Sequence, residues 1–373
     1  MVHTGEKNGT AAREAHMGGD ALDGTWGQGC GENCFTLDGD GFTCSRVLDE
    51  PEVWRVELLM HDTFLPSVNA FVLRDGDETL VVDAGTSDDF NDTRLMRALL
   101  GLGVDPERTT LVCTHAHMDH AGLARELTEV GVRAVVPEGV LSDMRRLAVP
   151  AWRDEMVARM RAEGVGATES VELADVIWDH AVNFETERIA FSTVAAGEAL
   201  RCGRWSLEVV PTPGHTPGHC ALWEPRTRTA FLGDAVLFLC STCIGFWGEG
   251  EDPMGEQLAT LRRLAGTGIE RALLGHGLQE GSVAERCLAN AAHHERRSAR
   301  ALAAIRETPG QTGFELVPAM GWRAPFDHWA QTPALTRWFL VSESIAHLDH
   351  LVATGAVRRE RDGAGVNRYV AVG

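Results

Sequence analysis

What this chain does not have narrows it before any motif is read. No apolar run is long enough to span a bilayer, which takes about 20 residues as a helix. No basic stretch runs into an apolar core near Met1, so a secretory leader is not expected. Positive charge is short: 34 Lys and Arg against 54 Asp and Glu leave a net charge of -20. That argues against a sequence-independent grip on nucleic acid or anionic lipid, while leaving room for a local basic patch. The nine cysteines are odd in number and follow no framework spacing, so they read as reduced thiols of a cytoplasmic protein. There is no glycine-rich phosphate loop or dinucleotide fingerprint, and clusters such as Gly39-Asp40-Gly41 are turns. No serine-nucleophile motif stands out. What remains is a 373-residue chain, 44% hydrophobic, long enough for one large core plus a smaller domain.

The densest chemistry lies in Thr-His-Ala-His-Met-Asp-His-Ala-Gly, Thr114 to Gly122. Before it, Thr109 to Cys113 is apolar and β-branched and reads as a buried strand. After it, Ala121 to Val130 has helical spacing. The stretch is therefore a strand end turning into a helix. Residues two apart in an extended end point to the same side. His115 and His117 then converge on one point, while Asp119 and His120 face a second point beside it. Three imidazoles and a carboxylate within six residues form a set of borderline ligands suited to zinc and acceptable to iron or manganese.

Met1 to about Asp49 is rich in Gly, Asp, Glu, Asn and Thr without apolar period, and reads as a loosely ordered extension, residues 1–49. Its Cys30, Cys34 and Cys44 have no Cys-x-x-Cys or His partner, so packed or free thiols are expected rather than a metal knot. Strands are expected at Val53–Met60, Asn69–Arg74 and Thr79–Val82, the last two joined by Asp75-Gly76-Asp77. Asp92–Leu102 is an amphipathic helix. After a short strand, Ala134–Pro137, the runs Leu141–Leu147, Trp152–Ala162 and Val171–Val182 carry helical spacing, a helical insertion over about 138–190.

Strands at Ala199–Arg201 and Trp205–Val210 lead into Thr212-Pro213-Gly214-His215-Thr216-Pro217-Gly218-His219, a loop stiffened by its Pro and Gly residues. A hairpin, Cys220–Trp223 and Thr229–Leu232, delivers Asp234. A helix over Met254–Ala265 and a strand over Ile269–Leu274 lead to His276. Cys240 and Cys243 have Cys-x-x-Cys spacing, where a thiol-lined loop is expected ahead of a redox or metal role. Ala284–Glu307 is a long amphipathic helix leading into a unit of different character. Helices are expected at Thr312–Met320 and Leu335–Thr354, the second with Leu340, Ile345, Leu348 and Leu351 on one stripe. A hairpin over Ala356–Ala371 completes a winged-helix order. Arg358, Arg359, Arg361 and Arg368 make the wing basic; at this net charge, docking on the chain itself or a second subunit is favoured over nucleic-acid contact.

His115-x-His117-x-Asp119-His120 resembles the signature of the metallo-β-lactamase-fold hydrolases. Asp83 in Leu80-Val81-Val82-Asp83-Ala84-Gly85, His215 in its Pro/Gly loop, Asp234 in Phe231-Leu232-Gly233-Asp234 and His276 in Leu274-Gly275-His276-Gly277 fill that family's remaining motifs in order. The resemblance implies an α/β protein: an αββα sandwich over 50–283 with a helical insertion, then a linker helix and winged-helix-like domain over 284–373. The C-terminal part looks like that of the lactamase-like subgroup that includes a mitochondrial endoribonuclease. The resemblance also implies two divalent metal ions, zinc ahead of iron or manganese. His115, His117 and His215 would hold one, Asp119, His120 and His276 the other, and Asp234 would bridge them, each ion keeping an open position.

A water shared by two such ions becomes a hydroxide near neutral pH and attacks a carbonyl or phosphoryl centre, with Asp119 and Asp234 as the catalytic carboxylates. Asp83 would orient the histidine loop, although a helix N-cap or turn Asp would look the same. His219 would lie behind the ligands or on the pocket wall. Relatives commonly insert helices that wall the site, making Trp152, Met156, Met160, Trp178 and Phe184 candidates to line it. Many relatives of this subgroup carry His where this chain has Ala235. A fold does not choose its substrate. The expectation is a small-molecule thioester, lactone or ester, similar to the hydroxyacylglutathione-hydrolase branch, because the insertion is apolar and the chain acidic. The alternatives are a single-strand-specific endoribonuclease, an iron-dependent oxygenase of sulfur compounds, and a scaffold with an idle site. No membrane partner is expected, and a homodimer is compatible.

Overall fold

The structure is a computed structural model and describes residues 34–37, 42–60, 65–87, 89–181, 188–322 and 326–373. Two sheets face each other. The first has eight strands in chain order: β1 (Cys34–Leu37), β2 (Phe42–Leu48), β3 (Glu52–Leu59), β4 (Ser67–Asp75), β5 (Glu78–Val82), β6 (Thr109–Val112), β7 (Arg133–Pro137) and β8 (Ser192–Val194). It is antiparallel through β5 and parallel from β5 to β8. The change of direction needs crossovers, supplied by α1 (Asp89–Gly101) before β6 and by α2 (Met118–Ala121) and α3 (Ala124–Glu129) before β7.

The insertion holds α4 (Glu138–Leu147), α5 (Pro150–Ala162) and α6 (Ala167–Ala181). The second sheet contains β9 (Ala199–Cys202), β10 (Trp205–Pro211), β11 (Cys220–Glu224) and β12 (Thr229–Gly233). Its last strand, β13 (Arg271–Leu274), pairs parallel to β12 after the crossover helix α7 (Pro253–Ala265). β4 and β5 are buried almost throughout, as strands covered on both faces must be. Phe71 of β4 meets Phe231 of β12 edge to face at 5.5 Å, one of the contacts that join the two inner faces.

The C-terminal unit runs α8 (Val283–Glu307), α9 (Gly313–Leu316), α10 (Ala334–Ala353) and a hairpin of β14 (Val357–Arg361) with β15 (Asn367–Ala371). The expected helix, helix and hairpin are present in order. α10 is buried around almost its whole circumference, which places it between layers rather than on a surface. It is tied to the insertion by Arg159, which bonds Glu163 and Asp349, while Asp349 also takes Arg359 of the hairpin. Tyr369 donates its hydroxyl to Glu163 at 2.8 Å. Arg358 pairs with Glu360, Arg359 with Asp349 and Arg368 with Asp362, so these three wing arginines are engaged within the chain. Among the described residues no helix is long and apolar enough to cross a membrane.

Two expectations need correction, and one strand was unexpected. The extension was expected to reach Asp49, but β1 and β2 lie in the first sheet, β2 antiparallel to β3 with Cys44 fully buried; the neighbouring Gly and Asp residues masked the short alternation of β2. Cys30 lies outside the described residues. The helix expected over 121–130 is two pieces. Gly122 is still helical (φ -58°, ψ -42°) and packs backbone on backbone, a Cβ there falling 2.6 Å from the Gly85 carbonyl; the helix breaks at Leu123, whose ψ is 12°. β8 carries too few residues to show a period and was not expected.

Candidate metal centre

The loops at the ends of β5, β6, β10, β12 and β13 meet along one rim of the sandwich. β6 delivers His115 and His117, and α2 carries Asp119 and His120. His115 Nε2 lies 3.1 Å from His117 Nδ1. His215 closes on both rings, its centroid 5.0 Å from that of His115 and 4.6 Å from that of His117. Beside this triad, His276 Nε2 stands 3.3 Å from Asp119 Oδ2 and 3.4 Å from His120 Nε2. Asp234 lies between the two groups: its carboxylate is 3.7 Å from His215 Nε2, 3.5 Å from His120 Nε2 and 3.3 Å from His276 Nε2. The structure thus brings together all seven residues singled out from the sequence.

The outer ring nitrogens show how three of the imidazoles are aimed. Nδ1–H of His120 donates to Asp83 Oδ2 at 2.8 Å, that of His215 to the Cys243 carbonyl at 2.7 Å, and that of His276 to the Ser67 carbonyl at 2.7 Å. Each of these rings is therefore turned so that Nε2 faces the centre, the atom a metal would take in place of a proton. Asp83 also accepts from Thr114 N–H and from Thr114 Oγ1–H, with distances of 2.7 and 2.9 Å. Its φ of 62° is left-handed, an uncommon conformation that Asp and Asn tolerate. It fixes the strand end and His120 together.

His219 lies behind the cluster. The backbone N–H of Asp234 donates to its Nε2 at 3.1 Å, its Nδ1–H faces Thr212 Oγ1 at 2.7 Å, and its ring stacks on His115. Gly275 has a steric reason: a Cβ there would sit 2.2 Å from Asp234 Oδ1 and 2.5 Å from the His120 ring.

The donor set fits cations. His215 Nε2 and Asp234 Oδ1 are buried without a hydrogen bond, which native interiors rarely leave so. Burial, reinforced by neighbouring imidazoles, holds His115 well below the ordinary histidine range and takes His117 down to about 3. Burial also lowers His215. These three are neutral, as ligands must be. The second group behaves oppositely. Burial opposes charge on His276, yet Asp234 and Asp119 carry it up to about 10. His120 is likewise raised against burial by Asp234, Asp119 and Asp83. Burial would raise Asp234 and Asp119, but the facing imidazoles hold both below the usual carboxylate range. Positive charge is therefore drawn to the space between the carboxylates.

Above the centre lies a cavity of about 380 Å³. Of the insertion residues expected to line it, Trp152 does. Met156 and Met160 turn into the core, and Trp178 backs Trp152 at 6.4 Å; Phe184 lies outside the described residues. Cys240 and Cys243 both line the cavity, as a thiol-bearing loop. Ala235 is fully buried against residues of α7 and α8 and is not on the cavity wall. The sequence reading missed the wall supplied by Leu335, Trp338 and Phe339 of α10. These residues lie off the stripe traced there, and a second apolar face at the start of α10 was the signal that could have found them.

Comparison with known proteins agrees with this geometry. Residues 64–276 match the family described as the metallo-beta-lactamase superfamily, and residues 299–372 match the metallo-beta-lactamase-like C-terminal domain. The chain belongs to the metallo-beta-lactamase superfamily and carries that C-terminal domain. Among solved structures it is similar to a metallo-beta-lactamase family protein of Thermus thermophilus, with a TM-score of 0.69 and 26% identity, covering 86% of this chain and 98% of that one. It is 23% identical to a beta-lactamase-like protein 2 homolog of Caenorhabditis elegans over 68% of this chain and 70% of the relative. A shorter match, 26% identical, covers 36% of this chain and 52% of a hydroxyacylglutathione hydrolase of Haemophilus influenzae.

Proposed function

We propose that this chain is a metal-dependent hydrolase of small, apolar acyl substrates: a thioester, a lactone or a related ester. His115, His117 and His215 would hold one divalent ion, zinc being the favoured metal, and Asp119, His120 and His276 the other, with Asp234 shared. Two ions so held supply an activated water and polarise the substrate oxygen. The chain's residues do the rest. Asp83, Cys243 and Ser67 keep the imidazoles aimed, and His219 steadies the backbone of Asp234. Asp119 lines the cavity, where its carboxylate can orient the attacking water or pass a proton to the leaving group.

The observation that carries the acyl reading is the wall above the site. Trp152, Ile177, Phe246, Trp247, Trp338 and Phe339 face it, and no Arg or Lys is among its described lining residues. Phosphodiester recognition calls for cations at the phosphate, so this wall favours an uncharged apolar group over RNA. The short hydroxyacylglutathione-hydrolase match supports thioester chemistry. The test is metal-loaded protein against acyl thioesters and lactones of rising chain length, with single-stranded RNA alongside. Turnover that grows with acyl length supports the proposal. RNA cleavage with no acyl turnover reverses it.

A further inference from the structure

A second set of ligand-type side chains lies deeper in the molecule. His294 of α8 meets Glu343 and His347 of α10, all three buried, with ligand atoms within 4.8 Å of one another. Glu343 and His347 are one turn apart and share a helix face. His294 Nδ1 and His347 Nε2 each lie 3.6 Å from Glu343 Oε1. That is too long for a hydrogen bond. It is close to the spacing of about 3.3 Å between two ligands of one tetrahedral ion with bonds of about 2.0 Å. Both nitrogens of His294, and Nε2 of His347, are buried without a hydrogen bond. Two orphaned imidazole nitrogens facing one carboxylate oxygen call for a missing partner.

We propose that His294, Glu343 and His347 form a further site for a zinc-class divalent cation, separate from the centre at the sandwich rim. The neighbours are compatible with it. Arg297 stacks 3.6 Å above Trp322 and bonds Glu343 Oε1 at 2.7 Å, holding the carboxylate in place. Its positive charge works against a cation and is opposed by the Glu343 carboxylate, with two uncharged imidazoles as the other donors; Cys243 lies near enough to feel the Glu343 charge. Ser298 Oγ meets His347 Nδ1 at 2.8 Å, leaving Nε2 for the ion. Burial takes His294 down to about 3, so it is neutral and able to ligate. Cys243 also supplies the carbonyl that aims His215. An ion here therefore clamps α8 to α10 directly behind one ligand of the rim centre.

The test isolates this site from the first. The full chain carrying His115→Ala, His120→Ala and Asp234→Ala disables the rim centre. After equilibration with zinc and desalting, elemental analysis is expected to find one zinc per chain. The thermal midpoint should rise by about 3–5 °C in zinc at a hundredfold excess over Kd. Adding His347→Ala, or Glu343→Gln where that variant does not fold, abolishes both effects. If the triple variant itself fails to fold, the comparison moves to the otherwise unaltered chain, with three zinc ions expected against two when His347→Ala is introduced. A folded triple variant without zinc, or zinc that survives both His347→Ala and Glu343→Gln, overturns the proposal.

Discussion

Asp83→Asn separates geometry from charge at the rim centre. The residue sits at φ 62°, which Asn tolerates as well as Asp, so the turn should persist. The amide cannot reproduce what the carboxylate does. Oδ1 accepts from Thr114 N–H, while Oδ2 accepts from both Thr114 Oγ1–H and His120 Nδ1–H. The Thr114 N–H is buried and needs an acceptor, so the amide oxygen must take the Oδ1 place. The amide NH₂ then faces His120 Nδ1, which has to accept. The ring proton moves to Nε2, the atom 3.4 Å from His276 Nε2 and aimed at the carboxylates. That tautomer cannot ligate. Loss of such a supporting contact costs about 10–100-fold in metal affinity, or about 1.4–2.7 kcal/mol. Zinc titration against a chromophoric chelator at neutral pH reads the change, with circular dichroism confirming the fold. A folded Asp83→Asn chain whose zinc affinity stays within twofold of the parent would refute the tautomer argument.

Gly275→Ala drives a methyl group into Asp234 and His120; overpacking there should cost about 1–3 kcal/mol in denaturant unfolding and lower bound metal. Trp338→Ala opens the apolar wall and removes about 1.5–3 kcal/mol of burial, so KM for long acyl substrates should rise about 10–100-fold with kcat little changed, checked by steady-state kinetics over chain length. Burial raises Asp143 to about 6 against its bond from Gly218 N–H. The folded form therefore holds a proton that the unfolded chain releases near pH 4, and stability should fall by up to about 3 kcal/mol as pH rises from about 4 to 6. Urea unfolding across that range should show this slope, and Asp143→Asn should flatten it.

The rim cluster was legible because the chemistry is local. Four sit in one short run, and His215, Asp234 and His276 each end a strand with Gly or Pro beside them, a punctuation that marks stiff turns. Asp83 was ambiguous in sequence, since a turn Asp and an orienting Asp are the same letter; the contacts to Thr114 and His120 decide it. Trp152 was an expected part of the wall, but the α10 part was not legible, because Trp338 lies beyond the last of the rim motifs and reaches the cavity only through tertiary packing. Met156 and Met160 share a helix with Trp152, yet they turn into the core. Periodicity finds an apolar face without saying whether core or cavity lies against it. The set formed by His294, Glu343 and His347 escaped for a related reason: its members belong to two helices and meet only where α10 packs on α8.

The proposed ligands sit on loops and one short helix at strand ends, whereas much of the wall belongs to α10, a helix from the C-terminal unit, and to the inserted helices. Reactivity and selectivity are thus written in different stretches of the chain. Evolution can recast which molecules are admitted by altering those helices, while the hydrolytic apparatus is inherited untouched.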